Sequence, residues 1–398
     1  MGCDGAIVGD TNDTSGAARS GPSSSQDPEG TPSSDIEPVV QAGLVASSCQ
    51  ASGTPNAAYR AVDSAVLGFL RAQGGANAQL AVSKNGTTLV SRAYTCPGAI
   101  GAPTDTTTMF RLASNSKAWT SAALDVLFEK GTISRSTRAF PYLGIVTPLP
   151  PCAKVDPRIY SITVGNLIDH YSGWDDTVSP SFDPTHSMRD IALALNLKQP
   201  INVQQMVQYM LGQPLQEAPG STYAYCNFCY DVLGMIVEKA SGMSFLNYLK
   251  QVVAKSIGVS NLAVSPTLEP RLLGEVAHYF SPNVGLSAVN VLSSALVPAP
   301  NGGDGLIREV DAPAGGLATS ALSMLKLMDH YTVWGVGPPP APGYGEARWG
   351  SDEGTTTWAE QRGDAKHWAF MLNTRNFTTS SAFEDFRNQV NSLLDSLP

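Results

Sequence analysis

The sequence lacks any apolar run long enough to cross a bilayer, which argues against a membrane-spanning helix within its 398 residues. Positive charge is short too. Only 25 Lys and Arg stand against 34 Asp and Glu, for a net charge of -9. With no basic surface to neutralise phosphate, nucleic acid is not the expected partner. Histidine is scarce. None of His170, His186, His278, His330 and His367 has a mate at His-x-x-x-His spacing, and no Cys/His cluster has zinc spacing. The expectation is therefore no metal and no other cofactor, with each histidine in a packing or surface role. A complete Gly-x-Ser-x-Gly turn is also missing, so an α/β-hydrolase nucleophile is not available. Charged residues make up only 15% and hydrophobic residues 42%, which describes a globular chain long enough for a large core.

Six cysteines are present: Cys3, Cys49, Cys96, Cys152, Cys226 and Cys229. Scattered cysteines in a low-charge chain fit an exported, oxidising setting. Cys226-x-x-Cys229 reads either as a local disulfide or as two free thiols. A redox role lacks the strand context that thioredoxin-like pairs have.

Residues 1–50 are dominated by Gly, Ser, Thr, Pro and Asp, as in Ser20-Gly-Pro-Ser-Ser-Ser-Gln-Asp-Pro28. Such a stretch buries too little apolar area to offset ordering entropy and is expected to be a disordered tether. Its Met-Gly-Cys opening resembles the lipid-attachment end of a bacterial lipoprotein, with the lipid on Cys3. The apolar export segment that would precede such a cysteine is not part of this sequence. The expected setting is periplasmic or membrane-anchored. The myristoylation pattern fails because position 6 is Ala6.

Order is expected from near Pro55, and residues 51–398 read as one domain. Val62, Ala65, Val66, Phe69 and Leu70 form a helical stripe ended by Gly74-Gly75. Asn85-Gly86 and Gly363-Asp364 each sit between strand-like runs and predict hairpins. A last helix carries Phe383, Phe386, Val390, Leu393, Leu394 and Leu397 on one face. Residues from about 131 to 299 are mostly helical and loop-rich, and 281–312 read as a long surface loop. The expected fold class is α/β (α+β): one antiparallel sheet drawn from both ends of the chain, flanked by helices, with a helical insertion.

The chemistry starts at Phe110-Arg-Leu-Ala-Ser-Asn-Ser-Lys117. Ser114 and Lys117 are three apart at the mouth of a predicted helix, so both side chains share a face. A serine hydroxyl is a weak nucleophile near neutral pH, and a partly desolvated lysine one turn on can take or relay its proton. The free N–H groups at a helix start favour a developing oxyanion. In isolation Ser-x-x-Lys is equally an ordinary helix start, and Ser323-Met-Leu-Lys326 repeats it. A second piece is Tyr225-Cys-Asn227, at another helix entry. A tyrosine there can act as a general base if nearby lysine charge lowers its pKa, and Asn227 can hold a substrate carbonyl and bridge to the lysine. Alone, Tyr-x-Asn reads as packing plus a cap.

Together these motifs resemble the serine β-lactamase/penicillin-binding-protein superfamily, over about residues 55 to 398. The similarity is to its Tyr-x-Asn branch: class C β-lactamases, family VIII esterases, D-amino-acid-specific peptidases and related acyltransferases. Leu167-Ile-Asp-His-Tyr-Ser-Gly-Trp174 and Gly315-Gly-Leu-Ala-Thr-Ser320 add to it. The resemblance implies Ser114 as the acyl-forming nucleophile, Lys117 and Tyr225 as sharers of the proton transfers, and Asn227 as a substrate-positioning residue. It also places Ser323/Lys326 inside a later helix, as a decoy. The family's Lys/His-Thr/Ser/Gly-Gly triplet is altered. Arg348-Trp349-Gly350 is the first register, in which the Ser351 N–H would join that of Ser114 in an oxyanion hole. Trp349-Gly350-Ser351 is the second, close to the Trp-Gly-Gly of family VIII esterases. Losing the Lys-Thr/Ser pair disfavours an efficient β-lactamase and favours an esterase, amidase or peptidase, although Arg348 could still bind a carboxylate. Trp174, Trp349 and Trp358 are expected either to wall an acyl pocket or to fill the core. The expected partner is a small-molecule ester, amide or peptide. A β-lactam substrate and a catalytically weak cell-wall-peptide-binding protein are the alternatives.

Overall fold

A computed structural model describes residues 48–178 and 182–397. The expected tether, the candidate lipid site at Cys3 and the Met-Gly-Cys opening lie outside the described residues. Asn85 and Gly86 both take positive φ, 49° and 73°. Two left-handed residues in a row are what a tight turn between right-twisted strands needs. They join strands Asn77–Lys84 and Thr87–Thr95. Near the other end, Glu346–Asp352, Thr355–Gln361 and Lys366–Leu372 form two successive hairpins. The two groups meet where Asn77–Lys84 pairs antiparallel with Lys366–Leu372. The result is a six-stranded sheet ordered Gln50–Thr54, Thr87–Thr95, Asn77–Lys84, Lys366–Leu372, Thr355–Gln361, Glu346–Asp352. One antiparallel sheet built from both ends of the chain is thus present, as expected.

Its two faces carry different covers. Helices Arg60–Gln73 and Ala382–Asp395 lie on one, bringing Phe69 and Phe386 into a stack with ring centroids 4.3 Å apart. On the other, Ala81, Ala369 and Ala359 stand in register across three strands, all fully buried. Methyl-sized side chains let helix Ala321–Met328 settle close to the sheet. Beyond it lies the larger core, centred on helices Ser116–Glu129 and Asn227–Ser241. Among the described residues no helix is long and apolar enough to cross a membrane.

Two expectations need correction. Order starts before Pro55. Gln50–Thr54 is an edge strand paired with Thr87–Thr95 and tied down by the Cys49–Cys96 disulfide. Its polar residues carry no alternation, so backbone pairing and a cross-link hold what side-chain pattern does not. Residues 281–312 are not a plain surface loop either. Val284–Leu286 pairs with Leu296–Pro298, and Ala288, Val291, Leu306, Ile307, Arg308 and Asp311 are buried. Apolar residues without period gave no sign of this packing.

Candidate active site

Ser114 sits on a forced turn. Ala113 takes φ 47°, a left-handed conformation that costs a residue with a Cβ about 1–3 kcal/mol. The short 3₁₀ turn Ala113–Asn115 then runs into helix Ser116–Glu129. The turn is braced from both sides. The Leu112 N–H donates to Leu317 O (2.8 Å), and Ser116 Oγ accepts from the Leu317 N–H (3.1 Å). Gly350 completes the brace, because a Cβ there would lie 2.2 Å from Leu112 O and from Thr357 Oγ1. Only glycine lets the strand come this close to the serine turn.

Lys117 is buried with its ammonium facing three acceptors: Ser114 Oγ at 3.3 Å, Asn227 Oδ1 at 2.8 Å and Ala314 O at 2.9 Å. The Tyr225 hydroxyl donates to Ser114 Oγ at 2.9 Å. Burial alone would raise the Tyr225 phenol. The charges of Lys117 and then Arg348, with the Ser114 hydrogen bond, outweigh it and hold the pKa below the ordinary tyrosine value. The chain thus brings Ser114, Lys117, Tyr225 and Asn227 together. Ser323 and Lys326 are spent elsewhere, on Asn261 and on Gly258 O.

Two neighbours had been given no part in the site. Asp183 accepts from Asn227 Nδ2 at 3.0 Å, which turns the amide oxygen toward Lys117. His170, expected only to pack or to lie at the surface, packs on the tyrosine itself. The rings stack at 4.6 Å and 26°. Its Nδ1 accepts the Cys226 N–H at 3.0 Å, and burial, Lys117 and Arg348 lower its pKa to about 3, so it is neutral. Cys226 and Cys229 form a disulfide at the start of the tyrosine helix, which resolves the choice left open by their spacing.

Arg348 is not on the cleft wall. It is buried, with Nε donating to Val333 O at 2.7 Å and its guanidinium 3.9 Å above the Trp334 ring. Its Nη1 donates to Ser114 O at 3.4 Å. It is placed to act on Tyr225 by charge rather than to meet a substrate carboxylate. Trp349 leans on Phe383 (centroids 5.6 Å), as does Trp358 (6.3 Å), on the face of the sheet away from the serine. Trp174 alone of the three lines a cleft beside Tyr225.

A carboxylate group underlies the site. Arg308 bridges Asp304 (2.7 Å) and Asp352 (2.6 Å). Asp231 is fully buried, and burial, then Asp311, push its pKa well above the carboxylate range. Asp311 is raised to about 7, by burial first and also by Asp183 and Asp352, against the lowering effect of Lys117 and His186. A raised folded-state pKa means that folding binds a proton which the unfolded chain releases near pH 4. The stability this carboxyl contributes is full below about pH 4 and is lost as pH rises through 7. Asp311→Asn should therefore melt above wild type at pH 8, with the gap closing toward pH 4. Calorimetry across that range checks it, and a gap that widens toward acid would contradict it.

Residues 62–384 match the family model described as Beta-lactamase. Penicillin-binding protein 4* of Bacillus subtilis (strain 168) is 27% identical over 185 residues, 44% of this chain and 35% of that protein. The chain spans about a third of the length of the curated relatives it matches, 35% and 36% for the first two. The octameric penicillin-binding protein homologue from Pyrococcus abyssi has the same fold, with TM-score 0.58 and 17% identity over 85% of this chain and 78% of that one. So does the D-amino acid amidase from Ochrobactrum anthropi SV3, with TM-score 0.57 and 16% identity over 84% and 97%.

Proposed function

The chain belongs to the Beta-lactamase family, and on that premise we propose that it is a serine hydrolase that works through an acyl-enzyme on carboxylic esters or amides. The observation that carries the reading is Ser114 Oγ held between Lys117 Nζ and the Tyr225 hydroxyl at 3.3 and 2.9 Å. Ser114 Oγ attacks the carbonyl carbon while its proton passes to the Lys117/Tyr225 pair. The N–H groups of Ser114 and Ser351 hold the oxyanion. Gly350 wedged against the serine turn favours the register that gives Ser351 this task. The carbonyl–leaving-group bond breaks, and the same proton goes to the departing oxygen or nitrogen. Water then attacks the acyl-serine, gives its proton to Tyr225, and the acid leaves as Ser114 regains its hydrogen. Asn227, fixed by Asp183 and Lys117, orients the substrate carbonyl side. The disulfides Cys49–Cys96 and Cys226–Cys229 support an oxidising, extracytoplasmic setting.

A β-lactam as main substrate is the weaker reading, because Arg348, the basic residue of the altered triplet, is buried against Trp334 with Nε on Val333 O rather than free for a substrate carboxylate. Hydrolysis of a short-chain p-nitrophenyl ester beside a chromogenic cephalosporin tests the assignment, with mass mapping of the acylated serine. The expected result is ester turnover, little cephalosporin turnover and an adduct on Ser114. Rapid cephalosporin turnover would put the β-lactamase reading first. Ligand retention without a covalent adduct would mean a binding protein.

A further inference from the structure

Two cavities meet at Asn227. One, of about 320 Å³, is lined by Ser114, Asn227, Asp311, Ser351 and Asp352 among others. The second, of about 530 Å³, runs past Tyr225 and Trp174 and carries Asp175, Asp176 and Asp183. The walls are thus acidic on both sides of the nucleophile. The nearby cations are already committed, Lys117 to its three acceptors, Arg308 to Asp304 and Asp352, and Arg348 to Val333 O and Ser114 O. His186, in the same cavity, answers this field. Desolvation opposes its charging, but Asp183, Asp352, Asp304 and Asp311 outweigh that and raise its pKa.

Asp311 stands out. It is 4% exposed, yet it lines the cavity, and its Oδ1 has no hydrogen-bond partner. Oδ2 is close to Gly315, where a Cβ would come within 2.3 Å, so this glycine leaves room for the carboxylate. An unpaired buried carboxyl is costly for the fold. A buried, unpartnered titratable group beside a cleft is a candidate for a functional role. Among the described residues no three His, Cys, Asp or Glu side chains are arranged to ligate a metal.

We infer that the cleft beside Ser114 binds the protonated amine of its substrate through Asp311, so that the preferred acyl donor is an aminoacyl amide, ester or peptide with a free ammonium group. This rests on the serine hydrolase reading and narrows its substrate class. A charge-assisted N–H···O bond inside a desolvated cleft gives the preference its strength. An acylated nitrogen offers no charge, and a substrate carboxylate meets like charge.

The test compares alanine p-nitroanilide in both enantiomers with its N-acetyl and desamino counterparts at pH 7, where most of the free amine is protonated. For the better enantiomer, wild type should show kcat/KM at least about tenfold above both neutral analogues. In Asp311→Asn that ratio should fall toward one, whatever happens to the absolute rates. Should this variant not fold, competition in wild type decides. Propylammonium should inhibit p-nitrophenyl butyrate hydrolysis competitively and more strongly than butanol. Neutral analogues turned over as well as the amine, an unchanged ratio in the variant, or equal inhibition by amine and alcohol would each overturn the inference, with the ester-hydrolase reading intact. No turnover of any substrate and no acylation of Ser114 would overturn both.

Discussion

Ser114→Ala is expected to lower ester turnover to background, a loss on the order of a millionfold, comparable to removing the nucleophile from other serine hydrolases. The fold should be indifferent. The serine turn is held by Leu112, Ser116 and Gly350 through backbone and neighbouring contacts. Lys117 keeps Asn227 Oδ1 and Ala314 O when the serine oxygen goes. A melting temperature close to wild type, with no acyl adduct in the mass spectrum, is the full expected outcome. Turnover at the wild-type rate in this variant would remove the proposed mechanism outright.

Tyr225→Phe should reduce kcat by about 10²–10⁴, the usual worth of one positioned acid–base group. Phenylalanine keeps the ring that stacks on His170, so the pocket should retain its shape. The pH profile separates loss of a base from loss of packing. The base is the deprotonated phenol, so the wild-type rate should rise with pH through the tyrosine pKa. Lys117 and Arg348 place that rise below the ordinary tyrosine value of 10.0. The rising limb should vanish in Tyr225→Phe. A variant that is slower but keeps the limb would assign the titration to another group.

The candidate centre was legible because its spacing is local. Ser114 and Lys117 share a helix turn, and Tyr225 and Asn227 share a helix entry. The sheet was legible from the two hairpin signals, Asn85-Gly86 and Gly363-Asp364. What stayed hidden depends on long-range approach. Asp183 is 44 residues from the Asn227 it orients, and His170 is 56 from the Cys226 N–H it accepts. Asp311 lies in a stretch with no period at all, and burial of a carboxyl there follows only from how 281–312 folds back. Arg348 shows the opposite error. Its sequence position invites a role on substrate, but its side chain turns under Trp334 toward Val333.

The pairing of Lys84 with Lys366 sets a timetable for biosynthesis. About 280 residues separate the two, so at 5–20 residues per second a ribosome needs on the order of half a minute between them. Throughout that interval the N-terminal hairpin has a bare edge, and Ala81 lacks the two alanines that later stand beside it. Gly350, which wedges the serine turn, also emerges late. Ser114 is made well before the strand Glu346–Asp352 whose Gly350 braces its turn. A sheet edge left unpaired for that long is the kind of surface that aggregates in the emerging chain unless something covers it.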